Sequence, residues 1–353
     1  MIKNTIRSII FILIFLIGCL NVNIFQILIQ PLKFLNIRLY NVLINYSKSS
    51  FIKLILINIK LFSKTKIILT FNENIKLDDL SNQLVLISNH QIYADWLYIW
   101  SLLYYLNYSS NLFIILKNSL KYIPILGWGM TFFEFIFLKR SWSTDKQSLL
   151  SSLSKLSTLD KFCLLLFPEG TTLNKNSRLR SVNFAKKINI EDLNLLLLPR
   201  LTGLFHSLRT LSVNANQLQL VDLTIAYPGI PNDGLGGEHI YTLNSVFLKS
   251  SPPPSIHFHL NIYYLDQIPL GDIHNMDKID EDTQNFDKWL RNLWIEKDNR
   301  LSYFHDHQTF DKSNGEQTFE LELKKFSHYF DAFIWFIPFL TIYLIYKICI
   351  TLI

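Results

Sequence analysis

Three cysteines among 353 residues leave no means of building a disulfide framework or a thiol-rich metal site. They stand at Cys19, Cys163 and Cys349, two of them inside apolar runs, and a reducing, cytosol-facing environment is the expectation. A Gly-x-Ser-x-Gly elbow is also missing, which removes the usual signature of a serine lipid hydrolase. So is any dense basic arm: the net charge of +6 is scattered along the chain. Nucleic acid is therefore not an expected partner, whereas an anionic membrane surface or a phosphate-bearing substrate accounts for the excess. His257 with His259, and His305 with His307, lack a carboxylate or thiol at a ligand spacing, so no metal centre is predicted from them.

Apolar sequence is what the chain has in abundance, at 49% of residues and unevenly spread. Ile9 to Phe25 is nearly continuous hydrocarbon, and Ala332 to Ile353 carries Lys347 as its single charge. A helix rising 1.5 Å per residue crosses a bilayer core of roughly 30 Å in about twenty residues, so both segments read as membrane helices. Lys3 and Arg7 ahead of Leu16-Ile17-Gly18-Cys19 resemble a lipoprotein signal, but the apolar run continues past Cys19, which suits an uncleaved anchor better. A buried core helix is the bland alternative. Residues 51–69 and 96–116 are apolar but interrupted by Lys, Asn and Ser.

Between these segments short apolar runs alternate with longer periodic ones, an α/β pattern. Strands are predicted at 84–87, 133–138, 163–167, 195–198, 223–227 and 258–263, with loops at 232–237, 250–255 and 271–286.

His90 and Asp95 are the pair with chemical content, since an imidazole steadied by a carboxylate can deprotonate an alcohol. With nine His and eighteen Asp in the chain, chance supplies about half a match to that spacing. In one continuous helix the two would point about 140° apart. They can meet if His90 sits on a turn after the strand ending near Ser88 and Asp95 opens the next helix, where its charge also suits the helix dipole. Phe167-Pro168-Glu169-Gly170-Thr171 is much rarer, at about one chance occurrence in ten thousand such chains or fewer. Gly170 permits a backbone that offers amides to an anion and Thr171 adds a hydroxyl, while Glu169 would orient a cation or accept from a substrate hydroxyl.

His90-x4-Asp95 followed by Phe167-Pro168-Glu169-Gly170-Thr171 resembles the glycerolipid acyltransferase family that includes 1-acylglycerol-3-phosphate acyltransferases. Phe137-Leu138-Lys139-Arg140 matches the family's arginine block and Leu198-Pro199-Arg200 its proline block, in the expected order. Ile123-Pro124-Ile125-Leu126-Gly127-Trp128-Gly129-Met130, Lys139-Arg140-Ser141-Trp142, Pro199-Arg200-Leu201-Thr202-Gly203 and Trp294-x2-Lys297-Asp298 look most like the lysocardiolipin and lysophosphatidylinositol branch. Two positions depart from the pattern: Glu134 stands where Gly is frequent, and Leu201 where Thr is frequent.

The resemblance implies a sheet flanked by helices, and direct transfer of a long acyl chain from acyl-CoA, a co-substrate, to a lysophospholipid or lysophosphatidic acid. No other cofactor is implied. His90 would be the general base, Asp95 its orienting partner, and Arg140, Glu169, Gly170, Thr171, Pro199 and Arg200 the substrate-binding set. Residues 1–50 would form an N-terminal membrane anchor region, 51–310 the catalytic domain and 311–353 a C-terminal membrane segment, in the endoplasmic reticulum with a cytosol-facing site. The rival readings are a catalytically silent membrane scaffold and a lipid hydrolase.

Overall fold

A computed structural model describes residues 2–322 except 64, 216, 250, 276–277 and 312–314. The predicted membrane segment at 332–353 lies outside the described residues. Among the described residues eight strands form one sheet: β1 (Lys66–Asn72), β2 (Gln83–Ser88), β3 (Leu112–Lys117), β4 (Ile136–Leu138), β5 (Phe162–Leu166), β6 (Gln219–Ala226), β7 (Ser255–Tyr264) and β8 (Glu316–Leu321). Their order is β4-β3-β5-β2-β6-β7-β1-β8, parallel except for β6 with β7 and β1 with β8. The helices are α1 (Ile2–Leu28), α2 (Leu32–Leu35), α3 (Ile37–Asn58), α4 (Asp95–Tyr105), α5 (Leu126–Phe132), α6 (Trp142–Leu156), α7 (Lys175–Lys187), α8 (Leu201–Ser212) and α9 (Ile279–His307). The expected α/β sheet with flanking helices is the architecture observed.

The central strands are apolar throughout because both faces of the sheet are covered. Successive side chains alternate: Leu84 and Leu86 of β2 enter a core with α3 and α4, while Val85 and Ile87 enter a second core with α6, α8 and α9. Burying one such side chain contributes about 1.5–3 kcal/mol. Parallel strands β4, β5 and β2 all run toward one edge of the sheet, where their following loops converge.

Three local expectations fail for physical reasons. Residues 195–198 do not form a strand. Side chains satisfy that segment instead: Asp298 accepts from the amides of Asn194 (3.0 Å) and Leu195 (2.7 Å), and Arg178 donates to the carbonyls of Leu193, Asn194 and Leu196. Residues 133–135 close α5 with Glu134 at φ 60° and leave only Ile136–Leu138 in β4. The acidic stretch at 271–286 is not all loop, because Asp280, Glu281 and Asp282 suit the first turn of α9. Strands β1 and β3 were hidden at the ends of the apolar stretches 51–69 and 96–116. Strand β8 is mostly exposed and gives little apolar signal.

Ile6–Leu28 and Ile37–Leu61 are each long and apolar enough to cross a bilayer. They differ in surroundings. Helix α1 exposes Ile9, Leu13, Ile24 and Ile27, whereas α3 is largely buried and carries Lys48 inside. The Lys48 ammonium donates to the Leu112 carbonyl at 3.0 Å and lies 3.8 Å from the Phe113 ring centre. Helix α3 thus packs on one face of the sheet, and the expected boundary at 50/51 falls inside it; β8 lies past 310.

Strand β6 is buried along its whole length although it contains Asp222. The fully buried Lys297 of α9 neutralises that carboxylate and also donates to the Leu223 carbonyl. Removing one partner of such a pair leaves a buried charge, whereas replacing both with apolar groups is nearly neutral. Lys297→Ala should therefore lower stability by about 3–5 kcal/mol, and Asp222→Val with Lys297→Met should recover most of it, as read by thermal denaturation of the detergent-solubilised protein.

Candidate active site

The chain leaves β2 at Ser88, turns through residues 89–94 and enters α4 at Asp95. Asn89 locks the start of this turn to β6, accepting from the Ile225 amide at 2.8 Å and donating to the Ile225 carbonyl at 3.0 Å. The turn brings His90 back over the helix start: its Nδ1 meets Asp95 Oδ2 at 2.8 Å. The same oxygen accepts from the amides of Gln91 (2.7 Å) and Ile92 (3.0 Å), and Oδ1 accepts from the Tyr227 hydroxyl. Asp95 is fully buried. Burial, with Asp95 alongside, pushes the Tyr227 phenol well above its usual range, so it serves as a donor. Four donors around one carboxylate fix the imidazole with Nδ1–H toward Asp95 and Nε2 outward as a proton acceptor. Phe167 stacks on the ring at 4.2 Å and limits its rotation.

His90 opens onto a cavity of about 570 Å³ at the carboxyl ends of the parallel strands. Arg140, Gly170, Thr171 and Arg200 line it as well. Its deeper wall is apolar and includes Cys19 and Val22 of α1 with Phe51, Trp100, Met130 and Phe133. One cavity therefore joins a proton acceptor, two guanidinium groups and a hydrocarbon lining. Among the described residues no group of side chains is arranged to hold a metal ion.

Arg140 follows β4 at φ 68°, a conformation unfavourable for a side chain. Asp145, in the first turn of α6, holds it there by accepting from the amides on either side, Lys139 and Ser141, each at 3.0 Å. Partial desolvation, then the positive charge of Arg200 and Arg180, pushes the Arg140 pKa down. Crowded guanidinium groups of this kind favour an anion between them. A second strained position faces the cavity from α1's side: Ile125 has φ 67°, and its carbonyl accepts from Asn23 at 2.6 Å.

Glu169 lies elsewhere than expected for a substrate contact. It is buried and outside the cavity lining, with Oε1 accepting from the His90 amide at 3.1 Å and Oε2 facing the Leu197 amide at 3.4 Å. Burial pushes its carboxyl up to about 8, against the lowering effect of those two amides. Gly170 has φ 71°, but its amide closes a turn on the Phe167 carbonyl at 2.9 Å and is not the one offered to an anion. A Cβ there would meet Arg200 Cδ at 3.4 Å. Pro199 is buried outside the lining, and the next amide, Arg200, donates to the Pro168 carbonyl at 2.8 Å, tying the two proline loops together. Glu134 also lies outside the lining and pairs with Lys33 at 3.4 Å.

Asn89, Tyr227, Asp145 and Glu238 were not picked out from sequence. Glu238 accepts from the Tyr93 amide at 2.7 Å and so braces the His90 turn; burial raises its carboxyl to about 7. The bonds of Asn89, Tyr227 and Glu238 cross between distant parts of the chain, and no local spacing announces them, whereas those of Asp145 are local, to amides four and six positions before it.

The Acyltransferase family model matches residues 66–227, and the Acyltransferase C-terminus model matches 247–335. The first span runs from β1 to Tyr227 and contains every residue of the His90 network except Glu238. An uncharacterised acyltransferase of Saccharomyces cerevisiae is 31% identical over 336 residues, covering 86% of this chain and 81% of that one. A 2-acyl-1-lysophosphatidylinositol acyltransferase of the same yeast is 34% identical over 268 residues, 66% of this chain and 64% of that one. Lysocardiolipin acyltransferase 1 of Gallus gallus is 31% identical over 223 residues, 63% and 54% of the two chains. With its sheet, its converging loops and these matches along most of its length, the chain belongs to the acyltransferase family.

Proposed function

We propose that this protein is a membrane-bound enzyme that transfers a long-chain acyl group from acyl-CoA to a hydroxyl of a lysophospholipid or lysophosphatidic acid. The observation that carries the reading is the His90–Asp95 contact of 2.8 Å at the wall of a largely apolar cavity that also holds Arg140 and Arg200. The acceptor's phosphate would sit against the arginines, and hydrocarbon would lie along Val22, Phe51, Trp100 and Phe133. His90 Nε2 would take the acceptor hydroxyl's proton as the oxygen attacks the thioester carbon. The tetrahedral intermediate then expels the CoA thiolate, which receives that proton from His90, so no covalent acyl-enzyme is required. Relatives named for lysophosphatidylinositol and lysocardiolipin support the acceptor class. Helix α1, apolar over the length of a bilayer, supports a membrane location, with the site facing the cytosol at the endoplasmic reticulum as the fuller proposal.

The direct test supplies labelled acyl-CoA with a panel of lysolipids. A two-chain phospholipid should form only when a lysolipid is present; labelled free fatty acid in its place would favour hydrolysis. His90→Ala should lower kcat by about 10²- to 10⁴-fold with thermal stability unchanged, and undiminished turnover by that variant would leave a silent scaffold.

Arg140→Lys keeps the charge but loses the planar, two-pronged grip. It should raise KM for a phosphate-bearing acceptor by about tenfold and change kcat by less than about threefold.

Glu169 acts here as a brace for the His90 turn. Its folded-state carboxyl is raised from 4.5 to about 8, so the fold favours the protonated form. That contribution to stability is complete below the unfolded value and is lost as pH climbs through about 8. Melting temperatures followed from acid to mildly alkaline pH should therefore fall more steeply for wild type than for Glu169→Gln.

A further inference from the structure

Arg178, Arg209 and Arg291 each pair with a carboxylate, those of Asp192, Asp282 and Asp287. Arg140, Arg180 and Arg200 do not: among the described residues none of the three has an acid at ion-pairing distance. Arg180 belongs to no motif read from the sequence, yet its helix is pinned to the cavity rim on either side of it. Three residues earlier, Ser177 donates to the carbonyl of the cavity-lining Thr172 at 2.8 Å. One residue later, Ser181 accepts from the Leu198 amide at 3.3 Å, two positions before Arg200. The Arg200 side chain lies along Gly170, where an added Cβ would meet its Cδ at 3.4 Å and Nε at 3.5 Å. Arg140 lines the same cavity and feels the charge of both Arg200 and Arg180. Three cations are thus gathered at one mouth with no acid among them, and their mutual repulsion is relieved by an anion.

The number of cations sets what fits. Two guanidinium groups, each gripping in bidentate fashion, already satisfy the two free oxygens and single charge of a phosphodiester. A third has no further oxygen to address on such a group. A pyrophosphate or a phosphate monoester, with more free oxygens and a second charge, gives it one. Both occur in the proposed substrates: acyl-CoA carries a pyrophosphate, and lysophosphatidic acid a monoester.

We propose that Arg180 is a third phosphate-binding residue, which with Arg140 and Arg200 makes the cavity mouth a site for a phosphate group bearing more than one negative charge. The donor or the acceptor supplies that group. This last step rests on the acyl-transfer reading; the anion site itself does not.

The test titrates the detergent-solubilised full-length chain with inorganic pyrophosphate and, separately, with dimethyl phosphate, a diester of one charge. Arg180→Gln should weaken pyrophosphate binding about tenfold and dimethyl phosphate binding by less than about twofold. Lys175→Gln removes another exposed cation of α7, about 140° around the helix from Arg180, and should change neither by more than about twofold. Arg180 is exposed, so its replacement should leave the melting temperature unchanged. Pyrophosphate binding by Arg180→Gln equal to that of wild type overturns the proposal. So does an equal loss in Lys175→Gln, which marks a diffuse charge effect instead of a contact. Kinetics then assign the source. A donor contact raises KM about tenfold for acyl-CoA in Arg180→Gln and leaves it unchanged for the acyl thioester of pantetheine, which has no phosphate. An acceptor contact raises KM for lysophosphatidic acid and spares lysophosphatidylglycerol, a single diester. An equal rise for all four substrates overturns the phosphate contact. Absence of any acyl transfer sinks the enzymatic reading alone, because the pyrophosphate titration still decides the anion site.

Discussion

The Asp95 carboxylate is the point on which the candidate site depends. It gathers the His90 imidazole, the amides of Gln91 and Ile92, and the Tyr227 hydroxyl, and it does so fully buried. A buried carboxylate is costly unless it is surrounded by donors, and here the donors are the backbone of the turn that holds the histidine. One interaction therefore does two jobs: it folds the turn and it orients the imidazole. Tyr227 arrives from just beyond β6, so the neighbouring strand must be in register before Asp95 is satisfied. The site and the sheet are consequently coupled, and a substitution at Tyr227 would disturb His90 without touching a substrate.

The second constraint is backbone strain held in place by side chains. Arg140 and Ile125 both have positive φ and both border the cavity, each at a cost of order 1–3 kcal/mol. Asp145 brackets the first and Asn23 restrains the second. The two restraints have different origins. Asp145 belongs to the same loop and helix as Arg140, whereas Asn23 comes from the apolar α1. A shift of α1 in its surroundings would thus be felt at Ile125 and, through it, along the apolar wall of the cavity.

Much of this was legible in the sequence because it is local. The His90 turn followed by a helix at Asp95 could be read from strand, spacing and dipole, and Gly170 from its place after an apolar strand. What could not be read is where side chains replace a ladder. The run of leucines at 195–198 looks like a strand by composition, yet Asp298, Arg178 and Glu169 take its backbone groups, and these partners lie up to about a hundred positions away in the chain. Glu169 is a related case. Its neighbours Pro168, Gly170 and Thr171 line the cavity, but its carboxyl group points at the His90 and Leu197 amides and braces two loops against each other.

These braces share a direction. Glu169 ties the His90 turn to the 195–198 segment, the Arg200 amide ties that segment to Pro168, and Ser181 ties it to α7. The loops after β2 and β5 and the segment before α8 thus form one hydrogen-bonded rim around the cavity mouth. A rim of this kind tolerates little independent movement of its parts, since loosening any one leaves a buried amide or carboxylate without its partner. Preorganisation is the physical consequence: the His90 turn and the Arg200 segment keep their separation, and under the proposed mechanism binding energy need not be spent on assembling them. Arg140 stands outside this rim, on the loop pinned by Asp145. If the proposed acceptor binds here, adjustment to different headgroups is therefore easiest on the Arg140 side, where one carboxylate, rather than a network, sets the backbone that carries the guanidinium.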